Sequence, residues 1–144
     1  MPSLEIYDKA KYHYEGEFPD DLLDAQAFVH TGFFLGWLAE NDLLAADIAQ
    51  EFSSQIAAFK EKHLSGPRLY EVMGGVFDES MLTDEGNLFT KAYFDLETGQ
   101  YVGDYQQLLV SDRPSFYHVE DDWANYATIS ACITRRYLAW RLDA

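Results

Sequence analysis

DAQAFVHTGFFLGWLAE, residues 24–40, is the stretch on which the fold turns. Val29, Phe33, Leu35, Gly36, Trp37 and Leu38 give it a broad apolar surface, with His30 and Phe34 beside it. Seventeen helical residues span about 25 Å, close to the width of a small domain. Gly36 weakens intrinsic helicity, and close packing against a neighbour would offset that cost. A helix this rich in large apolar side chains belongs at the centre of a core.

Working outward, residues 46–63 carry Ile48, Phe52, Ile56 and Phe59 at helical spacing. Asp47 and Glu51 suit the start of such a helix, and Lys60, Lys62 and His63 suit its end. The turn-like NDLLA makes it the expected antiparallel neighbour of the first helix. SGPRLYEVMGG reads as a short helix capped by Ser65, opened by Pro67 and stopped by Gly74 and Gly75. Thr83 caps a further helix whose packing face is Leu88, Phe89, Ala92 and Tyr93. YVGDYQQLLV is another short helix, with a strand as its alternative. A long final helix is expected over about residues 122–141. The fold class is therefore predominantly α: a compact, irregular six-helix domain over residues 1–144, with room for a short N-terminal extended segment or strand pair.

Composition narrows the functional classes. The 144 residues fit one domain and can bury a real core without metal or disulfide support. Twenty-five acids oppose ten bases, a net charge of -15. That field disfavours nucleic acid and anionic membranes and favours a basic protein partner. The N-terminus lacks a signal-peptide core, and FFLGWLA is far shorter than a membrane span. The expected setting is cytoplasmic. The lone Cys132, in ATISACITRR, reads as a small inert core residue.

One cluster has the look of chemistry. YHVEDDWANY, residues 117–126, places a histidine beside three acids. Its plain reading is a loop entering a helix: Asp121 or Asp122 caps, and Trp123, Tyr126, Ile129, Ile133, Tyr137 and Trp140 form the apolar stripe that follows. A metal at His118 matches no spaced zinc signature or calcium loop, and further ligands would have to come from His13, His30 or distant acids. His30 reads as a buried histidine bonded to another element. No serine sits in a nucleophile elbow, and VMGGVF lacks the lysine and hydroxyl of a phosphate loop. Arg135, Arg136 and Arg141 read as helix-end charges or as partners of the acidic N-terminus. No catalytic, cofactor-binding or metal-binding residue is assigned.

Three blocks, YDKAKYHYEGEFPDDL at 7–22, HTGFFLGWLAEN at 30–41 and YHVEDDWANY at 117–126, together resemble a family of small acidic bacterial domains with no established general function. The resemblance covers nearly the whole chain and implies no catalytic residue or cofactor. It draws attention to Tyr12, His13, Tyr14, Phe18, Pro19, His30, Gly32, Trp37, Tyr117, His118, Asp122, Trp123 and Tyr126. These residues can form an internal docking system in which the N-terminal segment and the final helix close around the first helix. Some proteins of this kind also look like immunity proteins of toxin–immunity systems.

The leading expectation is a protein-binding module, most concretely an immunity-type inhibitor that occludes a basic toxin or effector. Glu15, Glu17, Asp20, Asp21 and Asp24 would steer the encounter, and Tyr12 and Tyr14 would supply contacts. Two alternatives stand beside it: a small-molecule enzyme using histidine and carboxylates, and a structural or regulatory helical domain. The sequence leaves homo-oligomerisation open.

Overall fold

A computed structural model describes residues 5–143. Its elements in chain order are β1 (Ile6–Lys9), α1 (Lys11–Tyr14), a 3-10 turn (Asp24–Phe28), α2 (Val29–Glu40), α3 (Ala46–Glu51), α4 (Ser53–Lys60), α5 (Gly66–Val72) and β2 (Val76–Asp78), followed by α6 (Asp84–Tyr93), α7 (Tyr101–Tyr105), a π-helical turn (Gln106–Val110) and α8 (Trp123–Asp143). The domain is predominantly helical, as the periodicity predicts. The expected 24–40 helix begins as a 3-10 turn, and the expected 46–63 helix divides at Phe52 into α3 and α4.

Helix α2 runs through the middle. Every residue from Val29 to Ala39 is buried, so the helix has no solvent-facing side. Phe34 stacks on Phe94 with ring centroids 4.8 Å apart and meets Tyr101 at 5.4 Å. Trp37 meets Tyr137 edge-on at 5.2 Å and donates its indole N–H to Thr134 Oγ1 at 2.9 Å, which ties α2 to α8. Such aromatic pairs add about 0.5–1.5 kcal/mol each beyond the area they bury.

The closest neighbour of α2 is α5, where the sequence pointed to the 46–63 segment. Small residues explain the difference. A Cβ on Gly32 would lie 2.3 Å from Pro67 Cα, and one on Gly66 would lie 2.5 Å from the Gly32 carbonyl oxygen. Backbone therefore touches backbone at this crossing. Gly36 faces Phe59 of α4, consistent with the close packing expected there.

The capping expectations are met at Ser65, whose hydroxyl accepts the Arg68 N–H, and at Thr83, which accepts the Gly86 N–H. Asp122 likewise accepts the Asn125 N–H at 2.7 Å at the start of α8. Asp121 is drawn elsewhere and accepts a bond from Ser65 Oγ at 2.6 Å. Gly74 and Gly75 adopt φ of +103° and +70°, ending α5 and turning the chain into β2. β2 pairs antiparallel with β1, giving the N-terminal extended segment a partner about 70 positions away in the chain. The register is irregular between Ile6 and Asp8.

Among the described residues the arginines near the C-terminus make no ion pair with the acidic N-terminus. Arg136 instead makes a two-pronged pair with Asp104, at 2.8 and 3.0 Å, where Tyr93 also donates at 2.7 Å. Burial alone would raise the Asp104 pKa; these donors outweigh it and hold the carboxyl below its ordinary value.

The Gly32–Pro67 crossing sets a clear expectation. Gly32→Ala must force backbone apart, and overpacking of this kind costs about 1–3 kcal/mol. Gly103→Ala, where an added Cβ meets nothing within 4 Å and alanine favours the helix, should leave the urea midpoint at or above wild type. Equal midpoints for the two variants would refute the crossing.

Candidate functional site: a buried aspartate between two histidines

β1 enters beneath α2 and brings Asp8 inside, leaving it 1% exposed. A strand irregularity just before Asp8 is the kind of feature that re-aims a side chain. Helix α1 follows immediately and turns His13 back toward the same point. His30, on the first turn of α2 and also 1% exposed, completes the group. Three local elements thus converge, and the burial of α2 makes the convergence a core feature.

The donor atoms form a small triangle. His13 Nε2 lies 2.8 and 3.0 Å from the two Asp8 carboxylate oxygens. It lies 3.2 Å from His30 Nε2, and His30 Nε2 lies 3.4 Å from Asp8 Oδ2. Among the described residues this is the one group of three His, Cys, Asp or Glu side chains whose ligand atoms gather this closely. Surrounding groups fix it in place. Thr31 Oγ1 donates to Asp8 Oδ2 at 2.6 Å, and Tyr117 OH bonds His13 Nδ1 at 2.8 Å. The Tyr101 hydroxyl donates to the His30 carbonyl at 2.5 Å.

Electrostatics follow from the burial. Desolvation would push the Asp8 carboxyl up, yet the two adjacent imidazoles hold it well below the usual carboxylate range. Burial pulls His30 down, against the opposing pull of Asp8, so its neutral form is favoured. The result is an ionised carboxylate facing imidazole nitrogens away from bulk water. His13, with its side chain 15% exposed, is the edge of the group nearest solvent.

The sequence drew attention to His13 and His30 and reserved them as distant ligands, but it centred the chemistry on His118. His118 makes a separate surface relay: Ser115 Oγ lies 2.6 Å from its Nδ1 and Asp21 Oδ2 lies 3.1 Å from its Nε2. Ser115 also accepts the Tyr117 N–H, so it shapes the short turn at residues 116–118. Nothing local in the sequence marks Asp8. It sits in IYDK, an ordinary-looking strand fragment, and only the pairing of β1 with β2 carries it into the core.

The expected steering acids Glu15, Glu17, Asp20, Asp21 and Asp24 are all exposed. Tyr12 is 57% exposed, whereas Tyr14 is half-buried and stacks on Phe28. Phe18 packs on Tyr117 at 4.9 Å, so the N-terminal segment and the turn at residues 116–118 close over the start of α2, while α8 meets α2 further along at Trp37. Gln26 reinforces this closure by donating to the Tyr117 and Val119 carbonyls, both at 2.9 Å.

The cluster predicts unequal costs. With chelator present, Asp8→Asn should lose about 2–3 kcal/mol, because it strips the charge that Thr31 and the two imidazoles surround. Thr31→Val removes one donor and should cost about 1 kcal/mol. Urea titrations giving Thr31→Val the larger loss would contradict Asp8 as the hub.

Comparison with known proteins adds a family and no activity. No curated protein and no solved structure matches this chain. A family model described as a domain of unknown function (DUF7832) matches residues 6–119, which include Asp8, His13, His30, Thr31 and Tyr117. The chain belongs to that family of domains of unknown function, DUF7832.

Proposed function

We propose that this domain binds a divalent first-row transition-metal ion through Asp8, His13 and His30. The observation that carries the reading is the triangle of Asp8 Oδ2, His13 Nε2 and His30 Nε2, with edges of 3.0, 3.2 and 3.4 Å. Protons alone satisfy such a triangle poorly. If both nitrogens carry hydrogen, donor faces donor between the rings; if only one does, the other nitrogen turns a lone pair toward the carboxylate. A cation at the centre satisfies all three edges together. Metal–nitrogen and metal–oxygen bonds of about 2.0–2.2 Å put neighbouring tetrahedral ligands about 3.3 Å apart, close to these edges.

The surroundings support the same reading. Tyr117 beside His13 Nδ1 can fix the tautomer that turns the Nε2 lone pair inward, and Thr31 orients the carboxylate. Two imidazoles with one carboxylate suit zinc, iron or cobalt better than magnesium or calcium, which prefer all-oxygen shells. The ion would clamp β1 and α1 onto α2, and His13 marks the side on which a small molecule could reach it.

The test is stoichiometric loading of chelator-treated protein with Zn2+ or Co2+, read by calorimetry and elemental analysis. One ion per chain should bind and raise the melting temperature, and Co2+ should give visible absorption. His30→Ala and His13→Ala should each weaken binding by about 10-fold or more. Wild-type protein that takes up neither ion, or variants that bind as wild type does, would end the proposal.

A second reading rests on the surface of the N-terminal segment. Tyr12 and Leu23, 57% and 79% exposed, stand among the exposed acids from Glu15 to Asp24. Recognition of a basic protein, as by an immunity-type inhibitor, would use this edge. Coexpression with a basic toxin encoded beside it should then suppress toxicity, and Tyr12→Ala should shorten the life of the complex. Rescue that survives neutralising all five acids would remove the electrostatic basis of this reading.

A further inference from the structure

Helix α8 is chemically unlike the rest of the surface. The chain carries 25 acids, yet from Trp123 to Leu142 there is none, while Arg135, Arg136 and Arg141 all fall there. The inward side of α8 is used by Tyr126, Ile129, Ile133 and Tyr137. Its exposed positions Ala127, Ala131, Arg135, Leu138 and Leu142 follow one another at spacings of four, four, three and four. They form one stripe about 22 Å long at the helical rise. Leu138 is 52% exposed and Leu142 87% exposed.

The stripe is bordered by two recesses. One, of about 540 Å³, lies toward α4, where Lys60 lines the wall and Lys62 lies over the Trp123 ring. The other, of about 370 Å³, lies toward the π-helical turn, with Leu108 and Arg135 in its wall. Several nearby carboxylates are engaged: Asp104 by Arg136 and Tyr93, Glu40 by the Tyr126 hydroxyl and Glu85 by the Tyr137 hydroxyl; Glu61, between the two lysines, lies 4.0 Å from His63. Asp42 reaches only to 3.9 Å from Lys60. Arg135 forms no ion pair among the described residues.

We propose that the outer face of α8 docks an amphipathic helix of an acidic partner protein. Apolar residues of that helix, three and four apart, would seat on Ala131, Leu138 and Leu142, with its carboxylates reaching Arg135, Lys60 and Lys62. Charge complementarity selects this occupant. Arg135 lies near the middle of the stripe, so an antiparallel second copy would set it against its own counterpart. An anionic membrane would bring an extended negative sheet against a chain of net charge -15. A helix touches only this local face, and repulsion from the remainder is screened beyond about 8 Å at physiological salt.

The test uses the whole protein and two designed 21-residue helical peptides. Both carry leucines at three- and four-residue spacing, one flanked by glutamates and one by lysines. The glutamate peptide should bind one to one and perturb α8 resonances. Arg135→Glu and Leu138→Glu should each weaken it by about 10-fold or more, and the lysine peptide should bind Arg135→Glu better than wild type. Equal binding of both peptides, unchanged affinity in both variants, preference for phosphatidylserine vesicles, or a dimer broken by Leu138→Glu would each overturn the proposal. Running every arm with and without chelator separates its outcome from that of metal loading.

Discussion

A helix without an exposed side is the constraint that organises this domain. Once Val29–Ala39 is wrapped on every face, the remaining chain has to supply a cover for each direction. α5 covers one side through glycine contacts, α6 and α8 cover another through aromatic rings, and the N-terminal segment covers the first turn. Short elements suffice because each contributes one patch. This accounts for an irregular collection of helices in place of a regular bundle, whose helices would each keep a polar face.

The same constraint explains why polar chemistry occurs inside. Thr31 and His30 lie on α2 and cannot reach water, so their polar atoms need partners from the covering segments. Asp8 and His13 supply them. An ionised carboxylate in the core is costly unless several donors face it. Here the Thr31 hydroxyl donates to it and the ring nitrogens of His13 and His30 lie against it, with Tyr117 behind them. The group therefore couples closure of the N-terminal segment to the position of the turn at residues 116–118. Anything that changes charge at its centre acts on three parts of the chain at once.

Much of the fold is legible in the sequence because it is written in local signals. Ser65 and Thr83 announce helix starts through short-range hydrogen bonds, and the heavy apolar content of 24–40 marks the central helix. The stripe from Trp123 to Trp140 reads correctly for the same reason. Non-local facts are not written that way. Phe52 looks helical by spacing, yet its backbone leaves the helical range at φ −106° and ψ 23° and divides the helix there. Asp8 looks like a surface acid until β1 finds β2. His118, framed by conspicuous acids, drew the chemical reading toward the surface, while His13 and His30, seventeen positions apart, show no spacing that marks them as neighbours.

Charge distribution carries the last step. A net charge of -15 suggests one uniform acidic surface, but side chains act locally over distances near the screening length. The N-terminal edge gathers exposed acids around Tyr12 and Leu23. α8 excludes acids for twenty residues and leaves outside two leucines and Arg135, which forms no ion pair among the described residues. An evenly solubilising surface has no reason to separate charge types by element. The two proposed contacts of opposite polarity would use this separation, one beginning at Tyr12 beside His13 and the other on α8.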